Sequence, residues 1–178
     1  NPTDALDVTR AEIEAREQTY ELCHFLKNHF KAFANAKLLI TAPRIGVRES
    51  RMIEGEYQLN KEDILEGIKF EDGIAACRYN MDIHNPDGGG TTHYYIKKKG
   101  DYYTVPYRCL TPKKTVNLLV AGRCISADPE PYASIRVQGT VMSIGEAAGI
   151  AAALSCDENA PVYDLPKEDL QLVFETNV

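Results

Sequence analysis

The run Asn117-Leu-Leu-Val-Ala-Gly122, followed beyond a loop by Ser134–Leu154, decides how this chain is read. The first part is continuously apolar with no alternation, which suits a strand buried on both faces, the habit of parallel sheets. The loop Arg123–Tyr132 holds two prolines. The second part is rich in small residues: Gly139, Gly145, Ala147, Ala148, Gly149, Ala151 and Ala152. It is expected to form one helix in very close backbone contact with a neighbour. A buried strand, a loop and then such a helix is how a sheet aims a helix N-terminus at an anionic or electron-rich ligand group. The competing reading is a tightly packed helix that holds no ligand.

Working upstream, Thr9-Arg10-Ala11-Glu12 has the form of a capping box. Behind it Ile13, Tyr20, Cys23, Leu26 and Phe30 recur at helical steps, predicting an amphipathic helix that ends near Asn28–Phe30. Lys37–Thr41 reads as a short buried strand stopped by Pro43, and Met52–Leu59 as another strand. Asn60 should cap a short helix over Lys61–Glu66, ended by Gly67. Gly73–His84 is strand-like, and Asn85–Gly90 is a turn or loop. Thr92–Lys98 and Tyr102–Pro106, flanking Lys99-Gly100-Asp101, carry a hairpin signal. Downstream, the tail from Asp157 is expected to hold a short helix, Lys167–Phe174.

The 178 residues are 44 % hydrophobic and 26 % charged, ordinary for a chain that folds around a core. Twenty Lys and Arg against 26 Asp and Glu give a net charge of −6, which argues against a general nucleic-acid binder. The longest apolar run, Gly145–Leu154, is read as too short and interrupted to span a bilayer, so no membrane role is expected. Asn1–Asp7 is polar and acidic, unlike a signal peptide. Cys23, Cys77, Cys109, Cys124 and Cys156 are scattered and form no CxxC pair, so neither a zinc site nor a disulfide framework is indicated. Buried reduced thiols and a cytoplasmic setting are the expectation.

Three groups of residues invite chemistry. Arg44, Arg48 and Arg51 could clamp a carboxylate or polar substrate, or could form ion pairs with Glu49 and Glu54. Asp82 and His84 face the same side of an alternating strand, with Asp87 and His93 nearby. They admit an incomplete metal set, a histidine acting as acid or base, or a solvated strand end, and no metal site is expected. Tyr107-Arg108, after Pro106, is either a substrate-side pair or a structural stack. Lys97-Lys98-Lys99 is expected to be a solvated hairpin tip.

Asn117-Leu-Leu-Val-Ala-Gly-Arg-Cys-Ile-Ser126 and Ser134-Ile-Arg-Val-Gln-Gly-Thr-Val-Met-Ser-Ile-Gly-Glu-Ala-Ala-Gly149 together closely resemble the C-terminal flavin-contacting segment of FAD-dependent oxidoreductases. More narrowly, they are similar to a bacterial family of that name, some members of which are labelled xanthan lyase. Ile45–Arg51, Gly55-Glu-Tyr57, Asp82-Ile-His84 and Val105–Leu110 extend the resemblance over about Asp4–Leu154. It implies an α+β fold: a mainly antiparallel substrate-side sheet with helices over 1–116, the terminal strand and helix of a Rossmann-like FAD-binding domain over 117–156, and a tail over 157–178. It implies FAD contacts from Gly122, Arg123, Cys124, Ile125 and Ser126, and from Ser134, Arg136, Val137, Gln138 and Thr140. Arg48, Arg51, His84, Tyr107 and Arg108 are the implied catalytic, substrate-side candidates for a small-molecule substrate. Larger flavoproteins often have Gly-Asp where this chain has Gly122-Arg123, so a carboxylate role on the ribityl chain is not carried over.

Family members open with a Gly-x-Gly-x-x-Gly unit, which these residues lack. The resemblance therefore implies the C-terminal portion of a longer flavoenzyme. Its partner would be the N-terminal Rossmann portion of the same protein, and the isolated chain is expected to be inactive and prone to form homo-oligomers through unpaired edges. Two rivals from other classes are a non-catalytic carbohydrate- or acid-binding module and a polysaccharide lyase.

Overall fold

Asp4, not Thr9, starts the first helix. In the computed structural model its carboxylate accepts from the Leu6 amide at 2.8 Å, and helix α1 runs over Ala5–His29. The hydroxyl of Thr9 lies inside the helix and donates to the Ala5 carbonyl at 2.8 Å, so the expected capping box is not formed. Asp is as good a cap as Thr, and Ala5 and Leu6 carry the helix one turn further back. The structure describes residues 1–84 and 89–165. Asp87 and the expected tail helix Lys167–Phe174 lie outside the described residues.

The chain divides into two compact units, Asn1–Ser50 and Arg51–Val178. In the first, Glu12 and Arg16 of α1 pair with one another and hold the following loop. Arg16 donates to the Pro43 carbonyl at 3.2 Å, and the Ile45 amide donates to Glu12 at 2.7 Å. Lys37–Thr41 is irregular rather than a buried strand, with Leu39 90 % exposed. A short apolar run becomes a strand only when another strand accepts its backbone, and this unit contains none.

The second unit holds the buried core. Helix α2 (Lys61–Leu65) forms as expected: Asn60 and Asp63 make a reciprocal capping box. At its end Gly67 takes a φ of +64°, while the Ile68 amide donates to Asp63 and the Gly67 amide to Ile64. That is a Schellman stop, which favours glycine because a Cβ is strained at positive φ.

Strand β1 (Gly73–Cys77) pairs antiparallel with β4 (Tyr103–Pro106), and β2 (Met81–His84) with β3 (Thr91–Tyr94). The fold is α+β with small antiparallel sheets, each of two strands. The expected hairpin between Thr92–Lys98 and Tyr102–Pro106 is not formed, because each arm takes a different upstream partner. Met52–Leu59 is not a regular strand either. It makes isolated bridges, Gly55 to Pro112 and Leu59 to Ala127.

Helix α3 (Pro129–Ile135) packs on β2 and helix α4 (Gln138–Glu158) on β1. The single helix expected over Ser134–Leu154 is therefore broken, since Val137 is extended with ψ of 145°. Asn117–Gly122 is not a strand. Asn117 has a φ of +59°, Gly122 one of +87°, and no described strand lies alongside. The close packing expected at Gly139, Gly145 and Gly149 is absent among the described residues, for a Cβ at each would meet nothing within 4 Å. The core face of α4 is instead Thr140, Ile144, Ala147, Ala151 and Ser155, and the glycines lie on the other side.

Among the described residues α4 is the one helix long and apolar enough, by length and composition, to cross a membrane, and one face of it packs on β1. The central side chains are Leu59, Ile64, Ile74, Tyr103, Ile125, Tyr132 and Ile144. All five cysteines are free. Cys77 and Cys109 are buried, while Cys124 and Cys156 are exposed.

Candidate functional site

Three segments far apart in sequence are laced together by backbone hydrogen bonds. The Ile53 amide donates to the Cys124 carbonyl at 3.0 Å, Glu56 to Thr111 at 2.9 Å, Tyr57 to Arg108 at 3.2 Å and Leu59 to Ser126 at 3.2 Å. Ser126 in turn donates to Cys109 at 2.9 Å. Gly55 makes this approach possible: a Cβ there would stand 2.7 Å from the Cβ of Ser126. The ladder thus gathers the segment after Arg51, the turn carrying Arg108, and the loop Gly122–Ser126.

Arg108 is half-exposed and fixed from below. Its guanidinium grips the carboxylate of Asp72 through two nitrogens, at 2.9 and 3.2 Å, and lies 5.0 Å from the centre of the Tyr57 ring. Asp72 has a side chain only 5 % exposed, so this pair is the main support of the turn. The bond to Asp72 pushes Arg108 further up from its already high pKa. Tyr57 donates to Asp63 at 2.8 Å, and burial together with that bond raises its phenol to about 12. Burial alone pushes Tyr107 up; its hydroxyl is buried and donates to the Val162 carbonyl at 2.6 Å. Tyr107 thus stands inside the fold.

Arg48 lies in the first unit and Arg51 opens the second. Both are exposed, and neither makes an ion pair with a described residue. Of the two partners expected for them, Glu49 and Glu54, the second faces Lys113 and Lys114, at 3.6 and 3.9 Å.

The residues expected at a flavin divide into two sets. Ile125 and Ser126 are buried, and the carbonyls of Cys124, Ile125 and Ser126 already accept from Ile53, Tyr132 and Leu59. Ser134 is fully buried: its hydroxyl donates to the Tyr79 carbonyl at 2.6 Å and meets the Tyr103 hydroxyl at 2.7 Å. Thr140 donates to the Cys77 sulfur at 3.2 Å. The side chains of these four residues lie in the core. Gly122, Arg123 and Cys124 remain at the surface, as do Arg136, Val137 and Gln138 at the start of α4. There the helix has no side-chain cap and no acidic residue in its first turn, and the space over Gly139 is open. An uncapped helix start of that kind suits an anionic group.

His84 sits on a different strand pair, with β2–β3 rather than β1–β4. Its Nε2 lies 3.6 Å from Asp82, and His93 Nδ1 lies 3.6 Å from the other oxygen of the same carboxylate. Sequence reading placed Asp82 and His84 on one face. The strand register adds His93, directly opposite Asp82. Asp72 went unnoticed, since nothing local marks it as the partner of a residue thirty-six positions on. Among the described residues no group of three His, Cys, Asp or Glu side chains is arranged to hold a metal ion.

A family model described as FAD dependent oxidoreductase matches residues 1–173. No curated protein and no solved structure matches the chain.

Proposed function

The chain belongs to the FAD dependent oxidoreductase family, and on that premise we propose that it forms the substrate-facing and flavin-flanking part of an enzyme that passes a hydride between a small substrate and FAD. The observation that carries this reading is the backbone ladder, which joins the segment after Arg51, the Arg108 turn and the Gly122–Ser126 loop in one framework. FAD, when bound, supplies the two-electron chemistry.

What falls to the chain is holding and orienting. The first-turn amides of α4, with Arg136 just before them, would face the anionic part of the cofactor. Gly122, Arg123 and Cys124 would flank it. Arg51 would hold a carboxylate or another polar group of the substrate in two-pronged contact. His84 would give or take the substrate proton. The glycine-rich phosphate turn would come from a dinucleotide-binding portion of the same protein outside these residues.

The test is an absorbance spectrum. Protein expressed from the full reading frame should show flavin bands, and the 178-residue chain alone should be colourless and inactive. A full-length product without flavin bands would overturn the reading. A flavin-retaining 178-residue chain would put the whole cofactor site within it and overturn the division of labour.

A further inference from the structure

We propose that Asp82 is a positioning residue for His84 on the β2–β3 pair. The inference rests on the reading of His84 as the proton-transfer group. Its basis is the register. Asp82 lies opposite His93 and His84 opposite Thr91. Side chains two apart on a strand, and those directly across, share one face, so the three project together.

Asp82 Oδ2 is 3.6 Å from His84 Nε2, and Asp82 Oδ1 is 3.6 Å from His93 Nδ1. Oδ1 is buried and has no hydrogen-bond partner. A buried carboxylate oxygen without a partner calls for a physical reason, and holding the carboxylate aimed at His84 through its other oxygen supplies one. At 3.6 Å the Asp82–His84 contact is electrostatic, and it still favours an N–H over a lone pair facing the carboxylate.

The consequence is a choice of tautomer. A neutral imidazole carries one N–H and one acceptor nitrogen, and a carboxylate can only accept. Asp82 therefore selects the proton on His84 Nε2 and leaves Nδ1 as the acceptor. Nδ1 lies 3.4 Å from the hydroxyl of Thr91, which can donate to it until a substrate hydroxyl replaces it. When Nδ1 takes the substrate proton, the resulting imidazolium already faces the Asp82 carboxylate, and no group has to move to meet the new charge. His93 is held by another partner: its Nδ1 accepts from the Asn80 amide nitrogen at 3.2 Å, and its ring stacks on Tyr95.

The experiment is a long-range nitrogen–proton NMR spectrum of the 178-residue chain, labelled at histidine and recorded at mildly alkaline pH. His84 should show a single tautomer with the proton on Nε2. In Asp82→Asn the amide donates as readily as it accepts, so the two ring-nitrogen shifts of His84 should move toward one another. Unchanged shifts in a folded Asp82→Asn variant would overturn the proposal. Should that variant fail to fold, the native spectrum decides, since two exchanging tautomers at His84 would overturn it equally. The underlying reading has its own test: His84→Gln in the flavin-loaded full-length protein should lose turnover. Retained turnover there, with the tautomer shift still seen, would sink the role of His84 and not its orientation by Asp82.

Discussion

A Cβ on Gly55 would stand 2.7 Å from Ser126 Cβ and 3.1 Å from the Arg108 carbonyl, neither of them the movable end of a side chain. Gly55→Ala should therefore destabilise the protein by about 1–3 kcal/mol through overpacking, read as a lowered urea midpoint. At Arg108 the decisive neighbour is the buried Asp72. Arg108→Ala leaves that carboxylate without its main partner and should cost about 1–3 kcal/mol. The stability loss should appear whether or not flavin is present. Arg51 is the contrast. It is exposed and unpaired among the described residues, so Arg51→Lys should leave the melting temperature alone. In the flavin-loaded protein it should lower kcat/KM, because a point charge cannot reproduce a two-pronged contact. Full activity in Arg51→Lys would remove it from the substrate site.

Helix α4 presents glycines where its sequence had suggested a close neighbour. Gly145 is exposed with free space beyond it, so Gly145→Ala should stabilise the isolated chain by about 0.5–1 kcal/mol, the helix penalty of glycine. A lowered melting temperature would show that the space is filled in solution. The same element explains what could be read beforehand. Helix α2 was legible at both ends, because Asn60 and Gly67 act on backbone atoms within four residues of themselves. The strand expected at Asn117–Gly122 and the hairpin expected around Gly100 were misread for the opposite reason. Apolar runs and turn signals name a segment willing to pair, but the partner is chosen by the rest of the chain. Of the site, the Asp82–His84 face followed from strand alternation alone and His93 was read as nearby, whereas its place directly opposite Asp82, the partner Asp72 and the role of Gly55 required the folded chain.

Across the whole second unit, several acidic hydrogens are held in place by burial. Cys109 is pushed by burial from 9.0 up to about 12, and Tyr57 from 10.0 to about 12 by burial and its bond to Asp63. Both are neutral when protonated, so the folded protein keeps protons that the unfolded chain gives up in this range. Stability is then fully present below pH 9 and falls as pH rises toward 12. Urea midpoints taken from neutral to alkaline pH should show that decline, and Cys109→Ala should flatten its onset. An equal slope in both proteins would remove Cys109 from the account. The ladder that frames the candidate site has a kinetic meaning too. Its rungs join Ile53 to Cys124, Tyr57 to Arg108 and Leu59 to Ser126, so each can form only after a long stretch of chain has been drawn in. Loop closure of that span is entropically costly, and folding rates fall as contacts become less local. The helices should therefore appear early and the ladder last, so that a refolding chain shows its helical signal before the environment of Tyr57 and Tyr107 becomes native.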